Sequence, residues 1–491
     1  MPPSVIVIGS GFAGLSAACC LAKEGCKVTV LEKNATPGGR ARQFEAEGFK
    51  FDMGPSWYWM PDIFEQFFGH FGRQPSDYYH LVRLDPSYRI YFSQQEVMDL
   101  PADMGQLRAL FESYEPGSSV HLDKFLADAK YKYEAGMQQF VFRPAHSPLE
   151  FAHWKILKAS LKMQLLKSLS SEVRSKFKDS RLIRLLEFPV LFLGATPEHT
   201  PAMYSMMNYA DMALGTWYPE GGMVKIVEGM VQLAKELGVR FEFESEVVRM
   251  EAEGKKVKRV HTKNGRTLEA DFIVGGADYH HLEQDVLDKA YRQYDAAYWE
   301  RRVMAPSSLV FYVGVRGKMK NVLHHNLFFD ADFVQHSQEI YVDKKWPADP
   351  LFYLSAPSVT DQGIAPEGHE NLFILIPIAT DLEDTDERRE YYFDKVLERI
   401  HRHTGEDLRG RMVYKRSFCI RDFKSEYHSF KGNAYGLANT LKQTAFLKPK
   451  LKSRILNNLY YTGQLTVPGP GIPPALISGQ IVAREIMKAY E

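Results

Sequence analysis

The 491-residue sequence is poor in cysteine and carries no excess charge of either sign. Its four cysteines, Cys19, Cys20, Cys26 and Cys419, include no CxxC pair. That excludes a disulfide framework, a zinc ribbon and a thioredoxin-type dithiol site, and it fits a reducing compartment. The 61 Lys and Arg are matched by 61 Asp and Glu, so no bulk field draws the chain to DNA or RNA, and no nucleic-acid partner is expected. Long apolar runs are missing too. The stretch from Val5 to Ala22 is broken by glycines at 9, 11 and 14, each costing a helix about 1 kcal/mol relative to Ala. The MPPS ahead of it supplies no side-chain charge, so it reads neither as a secretory signal nor as a spanning helix. Internal repeats and low-complexity segments are absent. What remains is about 2 to 4 domain-sized units with core enough to enclose a cofactor.

What is present begins at the N-terminus. Ser4 to Ile8 (SVIVI) is the continuous β-branched run of a strand buried on both faces of a parallel sheet. GSGFAG follows, then an Ala/Leu-rich helix to Lys23, a second buried strand from Lys27 to Leu31, and Glu32. In this βαβ unit Gly9 permits the sharp turn, Gly11 lets the backbone approach a pyrophosphate, and Gly14 lets the helix pack closely. Glu32 stands where an acid accepts hydrogen bonds from ribose hydroxyls. The unit predicts a dinucleotide site, against the alternative of a plain Gly-rich turn.

Further along, a helix is expected from Met223 to Lys235 and strands around Val239 to Phe243 and Val247 to Glu251. A type I′ hairpin turn is expected at Lys263-Asn264-Gly265-Arg266. Asp271 to Gly275 (DFIVG) reads as a buried strand that resumes the N-terminal sheet, which makes the cofactor domain discontinuous. Near the C-terminus the pattern is a strand from Leu459 to Thr462, a Gly/Pro-rich loop from Gly463 to Pro474 and a helix from Ala475 to Tyr490. The start of that helix is placed to offer N–H groups to a cofactor ring. No second GxGxxG occurs, so a separate nicotinamide domain is not indicated.

Phe151 to Leu193 differs in character. Lys/Arg stand at 155, 158, 162, 167, 174, 176, 178, 181 and 184, while Trp154, Leu157, Leu161, Leu165, Leu169 and Val173 recur at helical spacing. A basic amphipathic helix of this kind suits a membrane interface. The alternative is a surface helix laying its stripe on the core.

Four separated stretches together resemble the bacterial-type phytoene desaturases and other carotenoid desaturases. They are GSGFAG with Glu32, Gly38 to Glu65 (GGRARQFEAEGFKFDMGPSWYWMPDIFE), Leu214 to Gly238 (LGTWYPEGGMVKIVEGMVQLAKELG), and Tyr460 to Gly479. The resemblance implies an α/β protein, a Rossmann-like FAD-binding domain of the flavin amine oxidase and carotenoid desaturase type with an inserted substrate- and membrane-binding domain. The FAD domain is expected at 1–90, 220–290 and 435–491, the other region at 91–219 and 291–434. The resemblance further implies FAD, without a metal, held by Gly9, Gly11, Phe12, Ala13, Gly14, Glu32, Lys33, Gly39, Arg40, Val247, Gly463, Gln464, Gly471 and Ile472. The substrate would be phytoene or a related lipid-borne linear carotenoid, and the electron acceptor oxygen or quinone. The location would be cytoplasmic, at the inner face of the cell membrane. Asp211 is the first candidate for a catalytic carboxylate, with Arg143 and Tyr209 behind it; a capping or structural carboxylate is the alternative for Asp211. Many relatives place His where Val467 stands, and Pro470 replaces a small residue, which bears on which carotenoid is oxidised. Two rival readings share the fold: a flavin amine or protoporphyrinogen oxidase, and a non-enzymatic prenyl carrier like the Rab-GDP dissociation inhibitors.

Overall fold

Five short strands drawn from both ends and the middle of the chain form one parallel sheet in the order Leu459–Tyr461, Phe272–Gly275, Ser4–Ile8, Lys27–Leu31, Arg240–Glu242. The register sets Val5 opposite both Phe272 and Val28. Its inner strands are near-continuous apolar runs because both faces are covered, one by helices beneath Val5, Val7, Val28 and Val30, the other by strands Val247–Glu253 and Lys256–Thr262 against Ile6, Ile8 and Ile273. The structure, a computed structural model, describes residues 2–147, 150, 167–440 and 443–491.

Helix Phe12–Lys23 lies against the sheet with helix Ile472–Tyr490 across it. Their approach depends on two glycines. A Cβ at Gly14 would stand 2.1 Å from the Gly9 carbonyl oxygen, and one at Gly479 would stand 2.3 Å from that of Ala13. The C-terminal helix starts three residues earlier than its apolar pattern suggests, because Pro473 and Pro474 sit in the first turn, where a missing N–H leaves no hydrogen bond unmade.

A seven-stranded mixed sheet forms the second body, in the order Met412–Phe418, Ser307–Arg316, His369–Ile378, Phe352–Ser355, His325–Phe328, Tyr88–Tyr91, Val97–Leu100. Strand Ser307–Arg316 is buried on both faces. Leu309, Phe311, Val313 and Val315 meet a core beneath helix Asp386–Thr404, whereas Val310 and Tyr312 face an aromatic core on the other side. The hairpin Gln43–Ala46 and Phe49–Asp52 closes over that second face: Tyr312 donates to the Met53 carbonyl at 2.7 Å. The domain boundary expected at residue 90 therefore cuts a strand, since Tyr88–Tyr91 pairs with His325–Phe328 in this sheet.

Two local expectations change. At 262–266 only Gly265 takes a positive φ (84°), with Gly265 N donating to Thr262 O and Thr262 N to Arg266 O. That is a type I turn followed by a glycine bulge rather than a type I′ turn, because Asn264 keeps an ordinary φ. In the basic segment, residues 151–166, with Trp154, Lys155, Lys158 and Lys162, lie outside the described residues. The rest of it is two short α-helices, Leu169–Arg174 and Ser180–Glu187, followed by a 3-10 helix, Phe188–Leu193. Leu169, Val173, Leu182, Leu185 and Leu186 are wholly buried in the aromatic core. Lys167 and Lys176 both pair with Glu172, and Arg174 pairs with Glu187. The described part of this stripe thus packs inward, as an ordinary amphipathic helix does.

Among the described residues no helix is long and apolar enough to cross a membrane.

Candidate cofactor and substrate site

The carboxyl ends of the parallel strands open on one crevice, the usual ligand position in such sheets. Gly9 turns there at φ 95°, its N–H on Leu31 O, while Gly276 N reaches Ile8 O. Gly11 behaves differently from Gly9 and Gly14: a Cβ on it would meet nothing within 4 Å. Beside it runs the turn Gly39–Ala41, close enough that a Cβ on Gly39 would lie 3.4 Å from the Gly11 Cα. Gly38 N holds that turn to Ser10 O at 3.0 Å.

Glu32 ends the second strand and is 4% exposed. One carboxylate oxygen accepts from Ser10 N (2.9 Å) and Ser10 Oγ (2.6 Å), the other from Asn34 N (2.9 Å) and Asn34 Nδ2 (2.8 Å). The two backbone donors fix the carboxylate at the mouth of the crevice, and the two side-chain donors sit where ribose hydroxyls would compete. Val247 begins the strand that leaves this point: it is buried, opposite Thr262, and two residues past Ser245, whose N–H is on Glu32 O.

Lys33, expected at the cofactor, reaches across to the second body instead, where its Nζ donates to Ser425 O at 3.2 Å. Phe12 and Ala13 are turned into packing. Phe12 lies in the core with Val467 and Leu476, and Ala13 lies under the Gly463 turn and Gly479.

Arg40 bridges the two bodies over the crevice. Its Nη2 donates to Ser429 Oγ at 3.1 Å, the Gln464 amide oxygen is placed to accept from the same nitrogen at 3.0 Å, and the guanidinium stacks 5.2 Å over Tyr427. Burial holds its pKa below the ordinary arginine value. Asp278, past the end of strand Phe272–Gly275, caps His281 N with one oxygen, and burial pushes its pKa up against the pull of Arg40. Arg40 Nε and Asp278 Oδ2 are buried with no hydrogen-bond partner among the described residues. Groups of this kind in a native interior call for a partner. With the open face of Gly11, they fit a dinucleotide in the crevice. Gly463 (φ 105°) and Gly471 (φ 106°) bound the C-terminal loop on the far side, and Ile472 opens its helix.

Ser10, Asn34, Asp278, Ser429 and Asn433, whose carbonyl accepts from Arg40 Nη2 at 3.5 Å, were not read from the sequence as site residues. Ser10 stands inside the glycine motif and Asp278 closes the strand-ending GGAD, so those two carried a signal. Ser429 and Asn433 lie some 390 residues from Arg40 in sequence, and no pattern links them.

The catalytic candidates do not converge. Asp211 is 1% exposed and accepts from Tyr88 OH at 2.7 Å and Thr216 Oγ1 at 3.1 Å. Burial pushes its pKa up to about 7, against those two hydrogen bonds and Arg83. Its surroundings are aromatic. Trp59 Nε1 donates to Thr216 Oγ1 at 2.9 Å, Trp57 lies 5.4 Å from Tyr88, and Trp57 stacks at 4.1 Å on His325. Tyr209 leans on Tyr133 at 5.5 Å, while Arg143 donates to the Gln139 and Glu150 carbonyls near the C-terminal helix.

Tyr204, Tyr341 and Tyr435 are three further half-buried tyrosines. Burial raises all three, Tyr204 and Tyr435 to about 12, yet each keeps accessible surface.

Residues 12–487 match the family described as flavin containing amine oxidoreductase. The chain is 43% identical, over 99% of its length and 98% of the relative's, to a carotenoid 3,4-desaturase of Haloarcula japonica. It is 29% identical, over 98% and 93%, to a zeta-carotene-forming phytoene desaturase of Myxococcus xanthus. Among solved structures, that of reduced UDP-galactopyranose mutase superposes with a TM-score of 0.61 at 14% identity, covering all of this chain and 96% of that one. At that identity the likeness is one of fold.

Proposed function

From a chain that belongs to the flavin-containing amine oxidoreductases, and within them to the bacterial-type carotenoid desaturases with FAD as cofactor, we propose an enzyme that introduces a 3,4 double bond into a linear, already conjugated carotenoid. The observation that carries this reading is the full-length 43% identity to the 3,4-desaturase, set against 29% to the phytoene enzyme. The aromatic group around Asp211, in which Trp57 packs on Trp59, Tyr88, His325 and Tyr353, supports it.

FAD supplies the two-electron oxidation, taking a hydride from the polyene. The chain's part is to hold the polyene straight between aromatic side chains, to exclude water, and to balance charge as hydride leaves. Asp211 is the carboxylate buried beside that aromatic group, and we assign it the charge-balancing role. Because it acts ionised and its pKa is held up to about 7, activity should rise with pH through about 7 and fall away below it. Asp211→Asn should lose that acid limb and about a hundredfold in rate. A flat profile in the parent, or full activity in the variant, would return Asp211 to a purely structural role between Tyr88 and Thr216.

A substrate dissolved in lipid is collected at a membrane surface, so the chain should dock peripherally on the cytoplasmic leaflet and pass its electrons to oxygen or a quinone. Replacing Lys155, Lys158 and Lys162 by Glu should weaken sedimentation with anionic vesicles; unchanged sedimentation removes that segment as the docking element.

Product analysis tests the whole reading. In cells supplying lycopene the protein should lengthen the chromophore and shift absorption to the red, and in cells supplying only phytoene it should leave the pool colourless. Colour from phytoene alone would make it a phytoene desaturase instead.

A further inference from the structure

Two buried polar groups meet the loop that ends at Gly471. At Gly469 (φ 144°) a Cβ would lie 3.2 Å from Asn439 Oδ1 and 3.4 Å from Lys448 Nζ. Lys448 is 2% exposed and Asn439 8%. Neither Lys448 Nζ nor Asn439 Oδ1 has a hydrogen-bond partner among the described residues. Burial pushes the Lys448 pKa down to about 7, and no carboxylate among the described residues opposes it.

Two residues on, helix Ile472–Tyr490 begins. Its cap, Gly471, offers no side chain, and its first turn holds no acidic residue. The positive end of a 19-residue helix and a buried ammonium therefore share one short loop, with no anion between them among the described residues. In the protein alone this arrangement is unfavourable, since a buried charge without a counter-charge destabilises the fold. It becomes favourable when negative charge appears at the loop.

The reaction provides such a charge. Forming the double bond removes two hydrogens from adjacent carbons, one as hydride to FAD and one as a proton that is lost to solvent. A bound FAD would take up two electrons and one proton with the hydride, and its ring would then carry one unit of negative charge unless a second proton followed. The pyrophosphate is the other anion of FAD, but its place by the present reading is at Gly11 and the start of helix Phe12–Lys23.

We propose that Lys448, beside Asn439 and the start of helix Ile472–Tyr490, is the counter-charge for the reduced ring of FAD. It is a positioning residue that favours the ring after hydride arrival over the ring before it. This role rests on the cofactor, which the family shows, and not on which carotenoid is oxidised.

The test is the midpoint potential of the FAD-loaded protein. Lys448→Met should keep its FAD and prefer the reduced ring at least tenfold less, a fall of about 30 mV for this two-electron couple. Lys448→Arg should restore most of that preference. The thermal midpoint of FAD-free Lys448→Met should rise, because an unpaired buried charge has gone. An unchanged potential with FAD in place overturns the proposal. Equal weakening of oxidised and reduced FAD, again with unchanged potential, places the ammonium at the pyrophosphate and overturns it too. A lowered thermal midpoint, or a Met variant that does not fold, shows a structural lysine and does the same.

Discussion

Gly11→Val is expected to give a folded, soluble protein that holds no FAD. The Cβ position at Gly11 is open for 4 Å in the protein itself, and the residue has an ordinary φ of −72°, so the isopropyl group meets no protein atom on its first carbon. It does fill the face across which a pyrophosphate must approach the N–H groups at the start of helix Phe12–Lys23. The purified variant should be colourless, lack the flavin bands of the parent, and unfold at the midpoint of FAD-free parent protein. A yellow variant with the parent's flavin content would mean that the pyrophosphate lies elsewhere.

The adjacent substitution in the same motif should do the reverse. Gly14→Ala adds one carbon 2.1 Å from the Gly9 carbonyl oxygen and 3.2 Å from its carbon, both backbone atoms in the tightest turn of the sheet. Neither can swing aside as a side chain would. Relief requires lifting helix Phe12–Lys23 off strand Ser4–Ile8, which loosens its contact with helix Ile472–Tyr490 as well. A loss of more than about 3 kcal/mol is expected, at the upper end for overpacking a core. Urea unfolding monitored by far-UV circular dichroism measures it. A variant as stable as the parent would show that the helix can shift without cost.

The contrast between these two glycines explains how far the residues could be read. The βαβ unit was legible because its parts are local: a buried run, a glycine turn, a helix and an acid within some thirty residues. So was the return of the sheet at Phe272, since DFIVG has no polar alternation. Lys33 could not be placed, because Ser425, which accepts from its Nζ, is nearly four hundred residues away. Arg40 was read as a cofactor residue, but its grip on Ser429 and Gln464 depends on the two bodies closing over the crevice. The amphipathic stripe through Leu169 and Val173 had two honest readings by periodicity alone, and only the presence of a core partner for those side chains separates them. Lys448 carried no signal, since a lysine between Leu447 and Pro449 looks exposed until the Gly469 loop covers it.

The strand order of the parallel sheet has an implication for folding. Strand Leu459–Tyr461 is the outermost member beside Phe272–Gly275 and lies far from it along the chain. Until the two meet, Phe272–Gly275 presents a row of unpaired amides along an apolar strand, a template for pairing with a second molecule. The slow long-range docking of one three-residue strand thus governs how long the folding protein is exposed to aggregation.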